Sequence, residues 1–293
     1  MGVFKMSNAI YQEVTDRIVS ELERGAIPWI KPWRADSTAD KNFITDKPYQ
    51  GVNRLILGMS SMIQKFETPI WASYDQWLSK GAQVKKGSKG THIVFYKQVK
   101  TEKINDKGDS IEGGYSVLKS YTVFNVHQTD FDIKPLIRDD DSKPFNTISE
   151  CENTLSKSGA SIQHGGDGAF YVPSIDKINL PNKTAFNSES DYYATAFHEL
   201  VHWSGAKHRL ERDLSGKYGN PSYAFEELIA EIGAAYLCAD HRLQGELRHA
   251  GYIESWLKAL RDDNKAIFKA AAYAQKAADF ISALDFKALP IAA

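Results

Sequence analysis

The chain has 293 residues, 42% hydrophobic and 25% charged, which suits a folded globular protein of one large or two modest domains. Its net charge is −1, split as +4 over residues 1–135 and −5 over residues 136–293. Only two cysteines, Cys151 and Cys238, are present. That excludes a disulfide framework, and with no run of eighteen apolar residues and no apolar secretory region at the start, the expectation is a reducing, cytoplasmic setting without membrane attachment.

Apolar residues at Ile10, Val14, Ile18, Val19 and Leu22 recur at helical spacing, so Ala9 to Arg24 is predicted as a helix stopped by Gly25. "IPWIKPWR" follows as an extended or turning segment. A second helix is expected from about Asn53. A short third begins after Ser73 and closes at Gly81. The period then changes: "THIVFYKQV" and "YSVLKSYTVFNV" read as a β-hairpin with a long polar connection, "KTEKINDKGDSIEGG". The acidic, proline-flanked stretch around residues 131–145 reads as a linker between a domain of residues 1–130 and one of residues 146–293. The second domain offers a helix from Ser149 to Ser158, the short strands "AFYVP" and "DKINLP", and a helix from Ser188 to Ser204 with Ser188 and Asp191 in capping-box spacing. A further helix starts at Asn220 and Pro221, and an Ala- and Lys-rich helical stretch starts at Tyr252. The fold class expected is α+β with two domains.

The densest chemistry lies in "FHELVHWSGAKH". His198 and His202 are four positions apart, so on a helix both imidazoles share one face and converge on one ion, with Glu199 beside the first. This is the H-E-x-x-H pattern of zinc metallopeptidases. Zinc lowers the pKa of a bound water to about 7, and the carboxylate takes its proton. Two residues compete for third ligand. His208 completes H-E-x-x-H-x-x-G-x-x-H, the metzincin pattern, with Gly205 turning the chain. Glu227 lies 25 residues after His202 on the acidic helix "FEELIAE", as in gluzincins, with Glu231 one turn on to orient a ligand histidine from behind. A metzincin also needs a methionine turn downstream, yet the four methionines are Met1, Met6, Met59 and Met62. Glu227 is therefore favoured and His208 is the alternative. "DKINLP" is expected as an edge strand that pairs with an extended substrate.

The first domain carries a second signal. No acidic residue occurs between Asp75 and Glu102, while Lys80, Lys85, Lys86, Lys89 and Lys97 do, and aromatics including Trp71, Tyr74 and Trp77 crowd the region. Lysines for a phosphate backbone and aromatic faces for bases are the ingredients of single-strand binding. Against that stands the plain reading, in which the tryptophans are core and the lysines a solvated loop.

Five segments, "YQEVTDRIVSELERGAIPWIKPW", "PYQGVNRLIL", "WASYDQWLSKGAQVKKGSKGTHIVFYK", "YTVFNVHQ" and "FHELVHWSGAKHRL…YAFEELIAEIGAAYL", span most of the chain and together resemble the ArdC antirestriction proteins of conjugative plasmids. The resemblance implies an N-terminal domain that binds single-stranded DNA and a C-terminal zincin-like, gluzincin-type metallopeptidase domain. It implies Zn²⁺, or another divalent transition metal, on His198, His202 and Glu227, with Glu199 catalytic. The implied role is protection of incoming plasmid DNA from restriction, with single-stranded DNA and a protein of the restriction machinery as partners. The alternative is a non-catalytic protein that coats single-stranded DNA, its metal domain only a scaffold.

Overall fold

The computed structural model describes residues 2–29, 39–104, 110–133, 147–216, 220–243 and 252–287. The N-terminal part contains α1 (Gly2–Glu23), β1 (Lys41–Asn42), α2 (Val52–Gln64), β2 (Ile70–Ser73), α3 (Tyr74–Ser79), β3 (Thr91–Ile104) and β4 (Ser110–Asn125). The sheet order is β1-β2-β4-β3, with β1 parallel to β2 and the other pairs antiparallel. α3 starts with the expected Ser73, which forms a full capping box with Gln76. Most of the polar stretch expected to connect the hairpin is itself strand. Register runs from Thr91↔Val123 to Ile104↔Ser110, so β-pairing overrides local polarity there. The free edge of β3 is closed by Asn53 of α2, whose side chain bonds both the amide and the carbonyl of Val94 at 2.9 and 2.8 Å.

The C-terminal part contains α4 (Thr147–Lys157), β5 (Ser161–His164), β6 (Phe170–Val172), β7 (Lys177–Leu180), α5 (Glu189–Ser204), α6 (Pro221–Asp240), α7 (Ile253–Asp262) and α8 (Ala266–Lys287). Its sheet order is β5-β7-β6. This corrects one expectation: "DKINLP" forms β7, the central strand, and β6 is an edge strand. β5 has no alternating apolar pattern and went unpredicted. Ser188 caps α5 by accepting from the Asp191 amide at 3.1 Å. Asn220 sits at the cap of α6 but makes no side-chain cap bond there.

One continuous apolar core runs from Val14 and Ile18 of α1 through Phe197 of α5 and Leu228 of α6 to Ile281 of α8. α5 and α6 cross so closely that a Cβ on Gly233 would stand 2.9 Å from the Val201 methyl. The far end of α6 docks on the start of α2. Arg54 lies 4.2 Å over the Tyr236 ring and pairs with Asp240 at 2.7 Å, and the Tyr236 hydroxyl donates to Gly51 O at 2.8 Å. α1 reaches over to α7 and α8, with Thr15 Oγ1 donating to Asn264 O and Tyr11 edge-on to Phe268. The expected linker falls mostly on residues 134–146, outside the described residues. No described helix is long and apolar enough to cross a membrane.

Candidate metal centre and nucleic-acid surface

α5 presents His198 and His202 one turn apart, and α6 presents Glu227 against them. The two imidazole Nε2 atoms are 3.1 Å apart. Glu227 reaches both, Oε2 at 3.5 Å from His198 Nε2 and Oε1 at 3.6 Å from His202 Nε2. All three ligand atoms lie within 4.8 Å of one another. A tetrahedral site with bonds of about 2.1 Å separates its ligand atoms by about 3.4 Å, so these distances suit such an ion.

The far side of each ring is also accounted for. His202 Nδ1 stands 3.2 Å from Glu226 Oε1, and His198 Nδ1 stands 3.7 Å from Glu231 Oε1. A carboxylate behind each ring favours the Nδ1–H tautomer and turns the Nε2 lone pairs toward each other. Two lone pairs at 3.1 Å repel unless a cation lies between them, whether a proton or a metal ion. The electrostatics agree with that demand. Burial opposes charge on His198, but Glu227, Glu231 and Glu199 outweigh it and lift its pKa to about 9. Burial likewise pushes Glu227 and Glu226 up, yet His198 and His202 around the first, and His202 and Arg212 around the second, hold both below the ordinary glutamate range. The donor set and its charge fit a divalent cation.

Glu199 is also buried, at 6% exposure, and borders a cleft of about 710 Å³ with His198, His202 and Glu227. It makes no hydrogen bond or ion pair among the described residues, which leaves its carboxylate available to a ligand in the cleft. β6 forms one wall through Phe170 and Tyr171, and Tyr223 and Tyr252, whose hydroxyls are 3.3 Å apart, line it elsewhere.

Glu226 and Arg212 were not singled out from sequence. Arg212, whose side chain is 3% exposed, donates from Nη2 to Glu226 Oε1 at 2.8 Å and from Nε to Oε2 at 3.0 Å. It also donates to Val201 O and Ser204 Oγ at the end of α5. Gly205 makes room for it, because a Cβ there would meet the Arg212 guanidinium at 2.8 Å. The glycine of the metzincin-like pattern thus serves this arginine. His208 lies outside the triad: its Nε2 is 3.4 Å from Asp176, in a cluster with Arg209 and Tyr171 that ties the chain after α5 to β6 and the turn before β7. The one available signal for Glu226 was burial all round α6, which a reading of one apolar face conceals.

In the N-terminal part, Trp71 and Trp77 are both fully buried. Their indole N–H groups donate to Asp40 at 2.8 Å and to Phe124 O at 3.0 Å. This corrects their assignment as base-stacking residues: both are core, with their polar atoms satisfied internally. Tyr74, Lys80, Lys85, Lys86 and Lys89 are exposed. The Lys97 side chain lies outside the described residues.

Comparison with known proteins agrees with both halves. Residues 8–124 match the family described as the N-terminal domain of anti-restriction factor ArdC, and residues 149–273 match the zincin-like metallopeptidase family. An uncharacterized protein of Sinorhizobium fredii, y4eC, is 39% identical over 291 residues, covering 94% of this chain and 92% of its own. DNA primase TraC of Escherichia coli is 38% identical over 97% of this chain, which spans only 28% of that primase. The crystal structure of the antirestriction ArdC protein from plasmid R388 in its metal-free form superposes with a TM-score of 0.78 at 37% identity, covering 96% of this chain and 99% of the other. Its Mn(II)-bound form gives the same score at 36% identity and 95% and 99% coverage. The chain therefore belongs to the ArdC family of antirestriction proteins, with an ArdC-type N-terminal domain and a zincin-like C-terminal domain.

Proposed function

We propose that this protein guards incoming plasmid DNA against restriction in the recipient cytoplasm by binding single-stranded DNA through its N-terminal domain and hydrolysing a protein of the restriction machinery at the zincin-like site. The observation that carries the reading is the facing pair of imidazole Nε2 atoms, bridged by Glu227 and flanked by a buried Glu199 with no hydrogen bond among the described residues. His198, His202 and Glu227 hold the metal, and Zn²⁺ suits their nitrogen and carboxylate donors. Bound there, such an ion would supply Lewis acidity toward a peptide carbonyl and a water whose pKa falls toward about 7.

The chain's own residues do the rest. Glu231 and Glu226 fix the two rings from behind, and Arg212 anchors Glu226. Glu199 takes the proton of the attacking water and delivers it to the departing amine, so that one carboxylate serves both transfers and the C–N bond breaks with no net change on the protein. The edge strand β6 offers its backbone beside the cleft to an extended peptide. The N-terminal domain supplies Lys80, Lys85, Lys86 and Lys89 to the phosphates, with Lys97 further along β3, and the division of labour follows a boundary within residues 131–145.

A restriction-protection assay tests this with two variants side by side. Glu199→Gln keeps the fold and the metal but abolishes protection, and combined Lys85→Ala, Lys86→Ala and Lys89→Ala weakens DNA binding and protection together. Full protection by Glu199→Gln, with loss only in the lysine variant, would instead leave a DNA-coating protein with a structural metal domain.

A further inference from the structure

We infer that the outer face of the β3–β4 hairpin, built from Phe95, Lys119 and Tyr121, is a stacking platform for the bases of a single nucleic-acid strand. This rests on the proposed single-strand reading and supplies the base contacts that the buried Trp71 and Trp77 cannot make.

The register pairs Phe95 with Lys119 and Ile93 with Tyr121, so the three side chains stand on one face of the two strands. Phe95 is 45% exposed and Tyr121 50%. The two rings nonetheless pack on each other, 5.5 Å apart and inclined at 76°. That contact fixes both while leaving ring surface open to solvent. One step toward the start of β3 the same face is closed, with Ile93 and Val123 buried, so the platform grows directly out of the core. The exposed Lys119 beside the rings places a cation where a phosphate follows a stacked base.

The approach to this face is basic. β3 is entered from the segment holding Lys85, Lys86 and Lys89, and no acidic residue occurs from Gln76 to Thr101. The segment is held in place by its backbone: the Lys85 amide donates to Gln128 O at 2.8 Å, and Gln128 Nε2 donates to Lys89 O at 2.8 Å. Asp130 is engaged with the Gln83 amide. Glu13 faces His92 on the opposite side of the strand, where Tyr96 is also tied down by a 3.1 Å contact with the Tyr11 hydroxyl. β3 begins at Thr91, two residues after Lys89, and at a rise of about 3.3 Å per residue Phe95 lies about 13 Å along it. Cations then aromatic faces along one track suit a strand with unpaired bases; a duplex keeps its base faces covered.

The test uses the full-length protein and a fluorescein-labelled single-stranded oligonucleotide of mixed sequence. Phe95→Ala and Tyr121→Ala, at exposed positions, are first checked for unchanged thermal unfolding. Each weakens binding roughly 5- to 150-fold, the range for one lost base–aromatic stack. The slope of log affinity against log salt stays as in the parent protein, because no phosphate contact is removed. Tyr121→Phe binds as the parent does, and an abasic oligonucleotide fails to distinguish the alanine variants from it. Parent-like affinity of both alanine variants, with the lysine variant still weakened, would overturn the platform and leave the single-strand reading intact. Parent protein that does not bind the oligonucleotide at all would sink that reading and the platform with it.

Discussion

Replacing Arg212 with methionine tests the frame behind the histidines. Arg212 and Glu226 are 3% and 8% exposed at the side chain, and the arginine makes two-pronged contact with the carboxylate while also bonding Val201 O and Ser204 Oγ. Methionine fills much of the same space but leaves Glu226 buried with His202 as its remaining side-chain partner, and leaves Val201 O with Ser204 Oγ as its one side-chain donor. Breaking a buried pair from one side costs about 3–5 kcal/mol. At roughly 2–4 °C per kcal/mol this lowers the melting temperature by roughly 6–20 °C. Much of that cost is the stranded carboxylate, so adding Glu226→Gln to the methionine variant recovers part of the loss, and a double-mutant cycle gives a coupling well above that of an exposed pair. Chemical denaturation of the parent, both single variants and the double variant measures this. A single-variant cost below about 1 kcal/mol would show that Arg212 is a surface ion pair in effect and refute the reasoning.

Gly233→Ala gains about 1 kcal/mol in helix propensity but sets a Cβ 2.9 Å from Val201. Overpacking of about 1–3 kcal/mol outweighs that gain, so thermal unfolding shifts down and metal affinity falls as α5 and α6 part. Trp77→Phe loses one buried hydrogen bond and costs about 1 kcal/mol, while single-strand affinity measured on the folded protein stays unchanged. Asp176→Asn tests a charge outside the lining of the cleft. Arg209 foremost, against some desolvation, takes the Asp176 pKa from 3.8 to about 2. A carboxylate depressed in the folded state stabilises above its unfolded pKa, so the parent's advantage over the asparagine variant is full above pH 3.8 and fades as pH falls toward 2. Asparagine tolerates the local φ of 50°, which isolates the charge. Unfolding curves at stepped pH check the sign, and an advantage that grows in acid would contradict it.

What the sequence made legible was what is local. The H-E-x-x-H helix, its Ser188 cap and the α3 capping box each depend on residues three or four apart, and all are visible by eye. Glu227 and Glu231 were visible too, through their spacing from each other and from the H-E-x-x-H helix. Tertiary relations were not legible. Arg212 reaches Glu226 across fourteen residues and a helix start. β7 is central rather than edge because β5, with no apolar alternation, pairs beside it. The second helix of the site hides Glu226: α6 is buried on every side, so no contrast between an apolar and a polar face marks it out. Composition misled at Trp71 and Trp77, where aromatic-rich and lysine-rich sequence coincide but the tryptophans face inward. His208 matched a pattern, yet its ring is held by Asp176 and Arg209.

The claim on which the account stands is that His198, His202 and Glu227 hold the metal. Metal content after equilibration with Zn²⁺ and removal of excess, compared for the parent, Glu227→Ala and His208→Ala, tests it directly. The parent and His208→Ala retain one equivalent and Glu227→Ala loses it; retention by Glu227→Ala with loss in His208→Ala would contradict the assignment.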